Sequence, residues 1–365
     1  MTPGYYLVKD KDGSVSGQDS YTKFIWEVVG NDVSAKVKSS VPTSEKKVKD
    51  TNDTEGTKTW WQDSADYDIG DQVSFQLTGT VAQDYNDYKS VYQLVFHDTL
   101  SNGLTLDRDS FKVYKNDSNE VLELNQYEVN ITDDQHFTVT IKDVKVLGDD
   151  VSKVRVEYTA TLNENAVIGF LGNPNTMYME FSNNPNNEQG GDKGQTLEDK
   201  VIVFTYKTII NKVDPDGQPL KGAEFKLEKK VGEEWVEKAV VKNDAGTTFT
   251  FKGLDDGVYR LTETVTPEGY NTMNPNPLEF TILATHEETA VEPKLLTLSG
   301  NPKSGDVTFD SSLENGTLTT NIVNKSGSSL PETGGMGTTV LYAAGTLMIL
   351  AAAAFLVMKK KAESK

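Results

Sequence analysis

Gln72-Val73-Ser74-Phe75-Gln76-Leu77 and, further along, Phe137-Thr138-Val139-Thr140-Ile141 alternate apolar and polar side chains with a period of two. A strand turns successive side chains to opposite faces, so this pattern suits a sheet with one face on a core and the other in water. Short runs of this kind recur along the chain between Asn, Asp and Gly turns, and no long helical periodicity precedes Val340. The expected fold is therefore all-β, with antiparallel sandwiches in series.

The 365 residues are enough for two or three such domains, each with its own core. A formal net charge of -19 repels nucleic acid and anionic lipid, so neither is an expected partner. With no cysteine and only His97, His136 and His286, the chain lacks the raw material for disulfides, thiol chemistry or the usual zinc sites. Neither the aspartates 63, 66, 68 and 71 nor Asp214-Pro215-Asp216-Gly217 completes a calcium loop, and turns account for both. No metal or cofactor is expected. No Ser-His-Asp order, glycosidase carboxylate pair or phosphate loop stands out, so the chain is expected not to be an enzyme.

Residues 340–358 carry no charge and as a helix would span about 28 Å, close to a bilayer core. Lys359, Lys360 and Lys361 follow and would hold that end in the cytoplasm, leaving the body outside. A C-terminal transmembrane helix is thus added to the β fold. Upstream, Leu330-Pro331-Glu332-Thr333-Gly334 resembles the sortase recognition motif. That resemblance implies cleavage between Thr333 and Gly334, transfer of Thr333 to an amine, and a cell-wall location after transient membrane anchoring. The polar lead Lys325-Ser326-Gly327-Ser328-Ser329 makes the motif reachable, and Pro331 keeps it extended. Residues 1–10 read as polar strand and turn, so a secretory leader is expected to precede them.

Composition shifts divide the body into residues 1–40, a remnant of an N-terminal domain; 41–207 and 208–325, two sandwiches; and 326–365, the sorting signal. In the third unit, Asn211-Lys212-Val213-Asp214, the turn onto Pro219-Leu220-Lys221-Gly222-Ala223-Glu224-Phe225, the run from Tyr259-Arg260-Leu261-Thr262-Glu263 to Pro267-Glu268-Gly269-Tyr270, and the closing Asn321-Ile322-Val323-Asn324 resemble the Ig-like Cna B-type domain of SpaA-like Gram-positive pilins. The resemblance implies an internal amide between Lys212 and Asn324, promoted by Glu263. Alternation independently puts Ile210 with Lys212, Tyr259, Leu261 and Val265 with Glu263, and Ile322 with Asn324 on inward faces.

In the second unit, the stretch from Trp60-Trp61-Gln62-Asp63 to Gly70-Asp71-Gln72-Val73, the run Phe96-His97-Asp98-Thr99-Leu100, and the segment from Gly172-Asn173-Pro174-Asn175 to Asn183-Asn184-Pro185 resemble the Cna A-type, fimbrial isopeptide domain. Here the resemblance implies Lys46 as amine, Asp98 as acid and Asn175 as amide donor. Parity groups Asp98 with Leu94, Phe96 and Leu100, and Asn175 with Met177, Met179 and Phe181. Lys47 and Lys49 compete with Lys46, although Val48 shares its parity, and Asn183 and Asn184 compete with Asn175. Each amide would join the first and last strands of its sandwich.

Together these features imply a structural fimbrial subunit, polymerised or wall-linked by sortase and serving adhesion. Its expected partners are sortase, neighbouring pilin subunits, peptidoglycan and an unidentified host or surface ligand. The alternative is a monomeric wall-anchored adhesin with the sandwiches as a stalk. Trp26, Val28, Val33 and Ala35 loosely echo a pilin motif, which makes Lys36 or Lys38 the polymerisation lysine to consider.

Overall fold

The computed structural model describes residues 2–30, 40–242 and 246–327. Lys36, Lys38, the motif 330–334 and the span 340–358 lie outside them. Regular structure among the described residues is strand, apart from single 3-10 turns at Tyr85–Asp87 and Val144–Leu147, and no helix there is long and apolar enough to cross a membrane.

Two sandwiches follow one another. In the first, one sheet runs in the order Lys112–Lys115, Lys153–Leu162, Gln72–Thr80, Ser44–Val48. The facing sheet runs Tyr127–Ile131, His136–Ile141, Leu94–Leu100, Asn173–Ser182, Asp199–Phe204, Ser64–Asp66, and only its last pair is parallel. The alternation that suggested strands sets the layers: Val73, Phe75 and Leu77 are fully buried, as are Val154, Val156, Ala160 and Leu162 opposite them. Burying each such side chain stabilises by about 1.5 to 3 kcal/mol, so Phe75→Ala, which also leaves a cavity, should cost about 3 to 5 kcal/mol.

The second sandwich faces a sheet ordered Thr248–Leu254, Tyr206–Val213, Thr317–Val323, Asp310–Ser312 with one ordered Glu234–Lys242, Glu224–Val231, Gly257–Val265, Leu278–His286, Leu295–Pro302. Its first and last strands, Tyr206–Val213 and Thr317–Val323, lie side by side and parallel. Val265 departs from the expected inward face and is exposed, because the register against Glu224–Val231 slips between Glu224 and Phe225. A one-residue slip reverses side-chain direction.

The joint between the sandwiches is a strand with two allegiances. Val201 and Val203 pack into the first core, whereas Ile202 and Phe204 on its other face pack into the second. After Thr205 the chain runs directly into Tyr206–Val213. The contact is close: at Gly253, with φ +72, a Cβ would stand 2.4 Å from the Ile69 side chain. Asp63, Asp66 and Asp68 are buried against the second sandwich and do not form a solvent turn, because short strand Ser64–Asp66 pairs beside Asp199–Phe204 and carries them into this joint. Asp214 does cap a turn, accepting from the Asp216 and Gln218 amides.

At the other end, Gly4–Val8 and Ile25–Val29 form a two-stranded hairpin with Tyr5 and Trp26 exposed. Asn183 and Asn186 tie it to the first sandwich by donating to the carbonyls of Asp19 and Thr22.

Candidate functional site

The first cluster lies between the sheets of the first sandwich. Lys46 projects from Ser44–Val48, while Asp98 and Asn175 come from neighbouring strands of the opposite sheet, where Met177 pairs with Asp98 and Asn175 with Leu100. All three are buried. Lys46 Nζ donates to Asp98 Oδ2 and, at 3.0 Å, to the Tyr158 hydroxyl. Tyr158 in turn donates to Asp98 Oδ1 at 3.0 Å and accepts from Asn175 Nδ2 at 2.7 Å. The Asn175 carbonyl oxygen has no partner among the described residues.

Burial lowers the Lys46 pKa against the pull of Asp98, and burial raises Asp98 against the pull of Lys46. Both shifts favour moving the lysine proton onto the acid, which leaves a neutral amine and a neutral carboxyl. The Lys46 ammonium also stands 5.4 Å from the ring centres of Phe75 and Tyr158. The competitors are engaged elsewhere. Lys47 pairs with Asp63 and Glu45, Lys49 lies over the Trp61 ring, and the Asn183 and Asn184 carboxamides bond to Asp19 and Asp192.

Sequence reasoning missed Tyr158. Its signal was present, since it is the one hydroxyl on the apolar face of Lys153–Leu162 formed by Val154, Val156, Ala160 and Leu162. Two strands of the sandwich, Lys193–Gln195 and Asp199–Phe204, follow the one that carries Asn175, so this cluster does not link the terminal strands.

The second cluster closes the far sandwich. Lys212 near the end of Tyr206–Val213 and Asn324 just past Thr317–Val323 come from neighbouring parallel strands, and Glu263 from the opposite sheet. Lys212 and Asn324 are fully buried and Glu263 nearly so. Asn324 Nδ2 donates to both Glu263 oxygens, at 2.8 and 3.0 Å, and its carbonyl oxygen has no partner among the described residues. Lys212 Nζ is 3.8 Å from Glu263 Oε1 and donates to the Ile322 carbonyl at 2.9 Å. The Met273 amide fixes the other Glu263 oxygen at 2.7 Å. Burial pulls the Lys212 ammonium down to about 8, with Glu263 opposing.

Residues 207–294 match the SpaA family, described as a prealbumin-like fold domain, and residues 322–365 match the LPXTG cell wall anchor motif. A curated relative, the trypsin-resistant surface T6 protein of Streptococcus pyogenes serotype M6, is 26% identical over 397 aligned positions, covering 89% of this chain and 70% of its own. Among solved structures, the T6 backbone pilin of the same organism superposes with a TM-score of 0.59 at 21% identity, covering 85% of this chain and 78% of the pilin. The full-length major pilin SpaD of Corynebacterium diphtheriae gives 0.54 at 20% identity, over 90% and 80% of the two chains. The 35 kDa C-terminal fragment of the major pilin GBS80 of Streptococcus agalactiae gives 0.51 at 22% identity, over 66% and 90%. The structural likenesses establish tandem pilin-like β-sandwiches, and the anchor implies sortase and peptidoglycan as partners. The chain thus carries a SpaA domain ahead of an LPXTG cell wall anchor motif, which places it at the cell surface, and its body is similar in fold to Gram-positive pilins.

Proposed function

We propose that the protein is a backbone-type pilus subunit, sortase-joined through Thr333 to the next subunit or to peptidoglycan, with Lys46–Asn175 and Lys212–Asn324 isopeptide bonds inside residues 41–207 and 208–325. The observation that carries this reading is that each buried lysine shares a pocket with one acid and one asparagine, in a chain that ends in a wall anchor.

In each pocket the neutral amine attacks the asparagine Cγ, the acid protonates the carboxamide and then shuttles protons, the Cγ–Nδ2 bond breaks, and ammonia leaves as the Nζ–Cγ amide forms. The activity is autocatalytic and single-turnover. The unpartnered carbonyl oxygens of Asn175 and Asn324 are where negative charge develops in the tetrahedral intermediate. Each bond closes a loop of more than a hundred residues, worth about 4 to 5 kcal/mol by the chain-entropy argument.

Intact mass of the purified chain tests the bonds: each condensation removes ammonia, about 17 Da. An unchanged mass rejects both. Polymerisation is tested in the native host, where replacing Lys36 and Lys38 together should abolish the high-molecular-weight ladder. A ladder that survives shows that the joining lysine lies elsewhere.

A further inference from the structure

The acid of the second cluster stands where its strand loses one neighbour. Gly257–Val265 pairs with Leu278–His286 from Gly257 opposite Ile282 to Leu261 opposite Leu278, and that ladder stops there. Continued by two more positions, the same register sets Glu263 opposite Asn276. Asn276, however, lies between Pro275 and Pro277, and a proline has no N–H to give to a ladder.

The Asn276 side chain takes over that rung. Its Oδ1 accepts from the Glu263 amide at 3.0 Å, and its Nδ2 donates to the Glu263 carbonyl at 3.1 Å. A carboxamide offers an acceptor and a donor as a peptide group does, so one side chain replaces one residue of a partner strand. Asn276 is itself exposed and fills no core position.

The loop that carries Asn276 touches both the acid and the amide partner. The Met273 amide donates to Glu263 Oε2 at 2.7 Å, and the Asn271 amide donates to the carbonyl of Lys325, the residue after Asn324, at 3.0 Å. Tyr270 forms a bridge with Ser326, and the Thr266 and Thr272 hydroxyls, 2.9 Å apart, close the neck of the loop. With Oε2 and the main chain of Glu263 both held, Oε1 is the oxygen that faces Lys212 Nζ, at 3.8 Å, and Asn324 Nδ2, at 2.8 Å.

We propose that Asn276 is a positioning residue for the second isopeptide bond, holding Glu263 so that Oε1 is the proton shuttle between Lys212 and Asn324. The inference rests on the isopeptide reading of this cluster. Oε1 takes one proton from Nζ as the Nζ–Cγ bond forms and delivers one to Nδ2 as the Cγ–Nδ2 bond breaks, so ammonia leaves and the acid ends as it began. Asn276 touches none of the reacting atoms and acts through the Glu263 main chain. A misplacement of about 1 Å in such a group costs on the order of a hundredfold in rate. Because the Met273 amide still holds Oε2 when Asn276 is changed, a smaller loss is expected.

The test follows bond formation in the full chain, recovered unfolded in urea before either bond has formed and diluted into detergent. Peptide masses report each bond over time, from about pH 6 to 10. Asn276→Ala should slow the second bond about tenfold at every pH and leave the first bond unchanged. The rise of the rate with pH should still level off at about 8, where burial sets the Lys212 amine. A second bond as fast as in the unmodified chain overturns the proposal. So does a levelling-off moved up toward the ordinary lysine value of 10.5, which would mean that the loop only keeps water from the pocket. Equal slowing of both bonds also overturns it, since that is slower folding. Asn276→Asp keeps the acceptor for the Glu263 amide and loses the donor, so a loss of about threefold is expected. If Asn276→Ala does not fold, the Asp variant decides, and an unchanged rate there rejects the role. If the unmodified chain forms no second bond, the isopeptide reading itself falls; if it does and Asn276→Ala keeps pace, that reading stands and only the positioning role is lost.

Discussion

The two buried clusters use the same three kinds of group but distribute them oppositely. In the first sandwich the acid and the amide are neighbours on one sheet and the lysine reaches across from the other. In the second, lysine and amide are neighbours on one sheet and the acid reaches across. A bond in the first staples two sheets face to face, whereas a bond in the second ties two parallel strands edge to edge. The acid's starting task differs as well. Asp98 begins against the amine and contacts the carboxamide only through Tyr158, while Glu263 begins on the carboxamide and stands off from the amine. The difference suggests that proton transfer from lysine limits the second site and polarisation of the amide limits the first.

Removing the acids gives the largest effect. Asp98→Ala and Glu263→Ala should each leave one bond unformed, so that each variant weighs about 17 Da more than its own sequence would with both bonds formed. Each should also lower the melting temperature of its sandwich by roughly 10 to 20 °C, from about 4 to 5 kcal/mol of lost cross-link at about 2 to 4 °C per kcal/mol. If one acid proves dispensable, the two sites do not share a mechanism.

Tyr158→Phe separates them more finely. It deletes the hydroxyl between Asp98 and Asn175 and should slow the first bond about a hundredfold without touching the second, read by mass spectrometry of peptides after refolding. An unchanged rate would make Tyr158 mere filling. A smaller effect is expected from pH. With Lys212 near 8, formation of the second bond should quicken about tenfold per pH unit up to that value and then level off. In Asn324→Ala, where the lysine stays free, stability should rise with pH from about 8 to 10.5, because only the unfolded chain holds the lysine proton there. A flat melting profile over that window would contradict the burial assigned to Lys212.

The smallest effect concerns the joint. Burial lowers the His286 pKa, but its ion pairs with Asp50 and Asp66 outweigh that and raise it to about 10. Its contribution is complete below the ordinary imidazole value of 6.5 and is lost as pH rises through about 10. His286→Gln should therefore uncouple the two melting transitions slightly at pH 6 and not at all above pH 10, by calorimetry.

Strand parity made most of the layering legible, because a period-two pattern states which side chains face inward without reference to partners. It placed Lys46 with Val48, Asp98 with Phe96 and Asn324 with Ile322, all buried. Parity fails where the backbone slips, which is why Val265 emerges at the bulge. Local pattern also says nothing about groups that meet only through packing. Tyr158 reads as one more core aromatic until Asp98 and Asn175 are beside it. The aspartates 63, 66 and 68 read as turn residues until the second sandwich covers them.

The parallel pairing of Tyr206–Val213 with Thr317–Val323 has a consequence for elasticity. A pull applied at Tyr206 and at the anchor end slides these neighbours past each other, so their hydrogen bonds resist together instead of opening one at a time. With Lys212 and Asn324 joined, tension entering from the anchor would cross directly to Lys212 and leave along a single strand. The hundred or so residues between them would carry no tension, and their slack, on the order of 400 Å of chain, could not be drawn out. The domain would act as a nearly inextensible link, and the bypassed hairpins would be free to vary in length without changing the reach of the fibre.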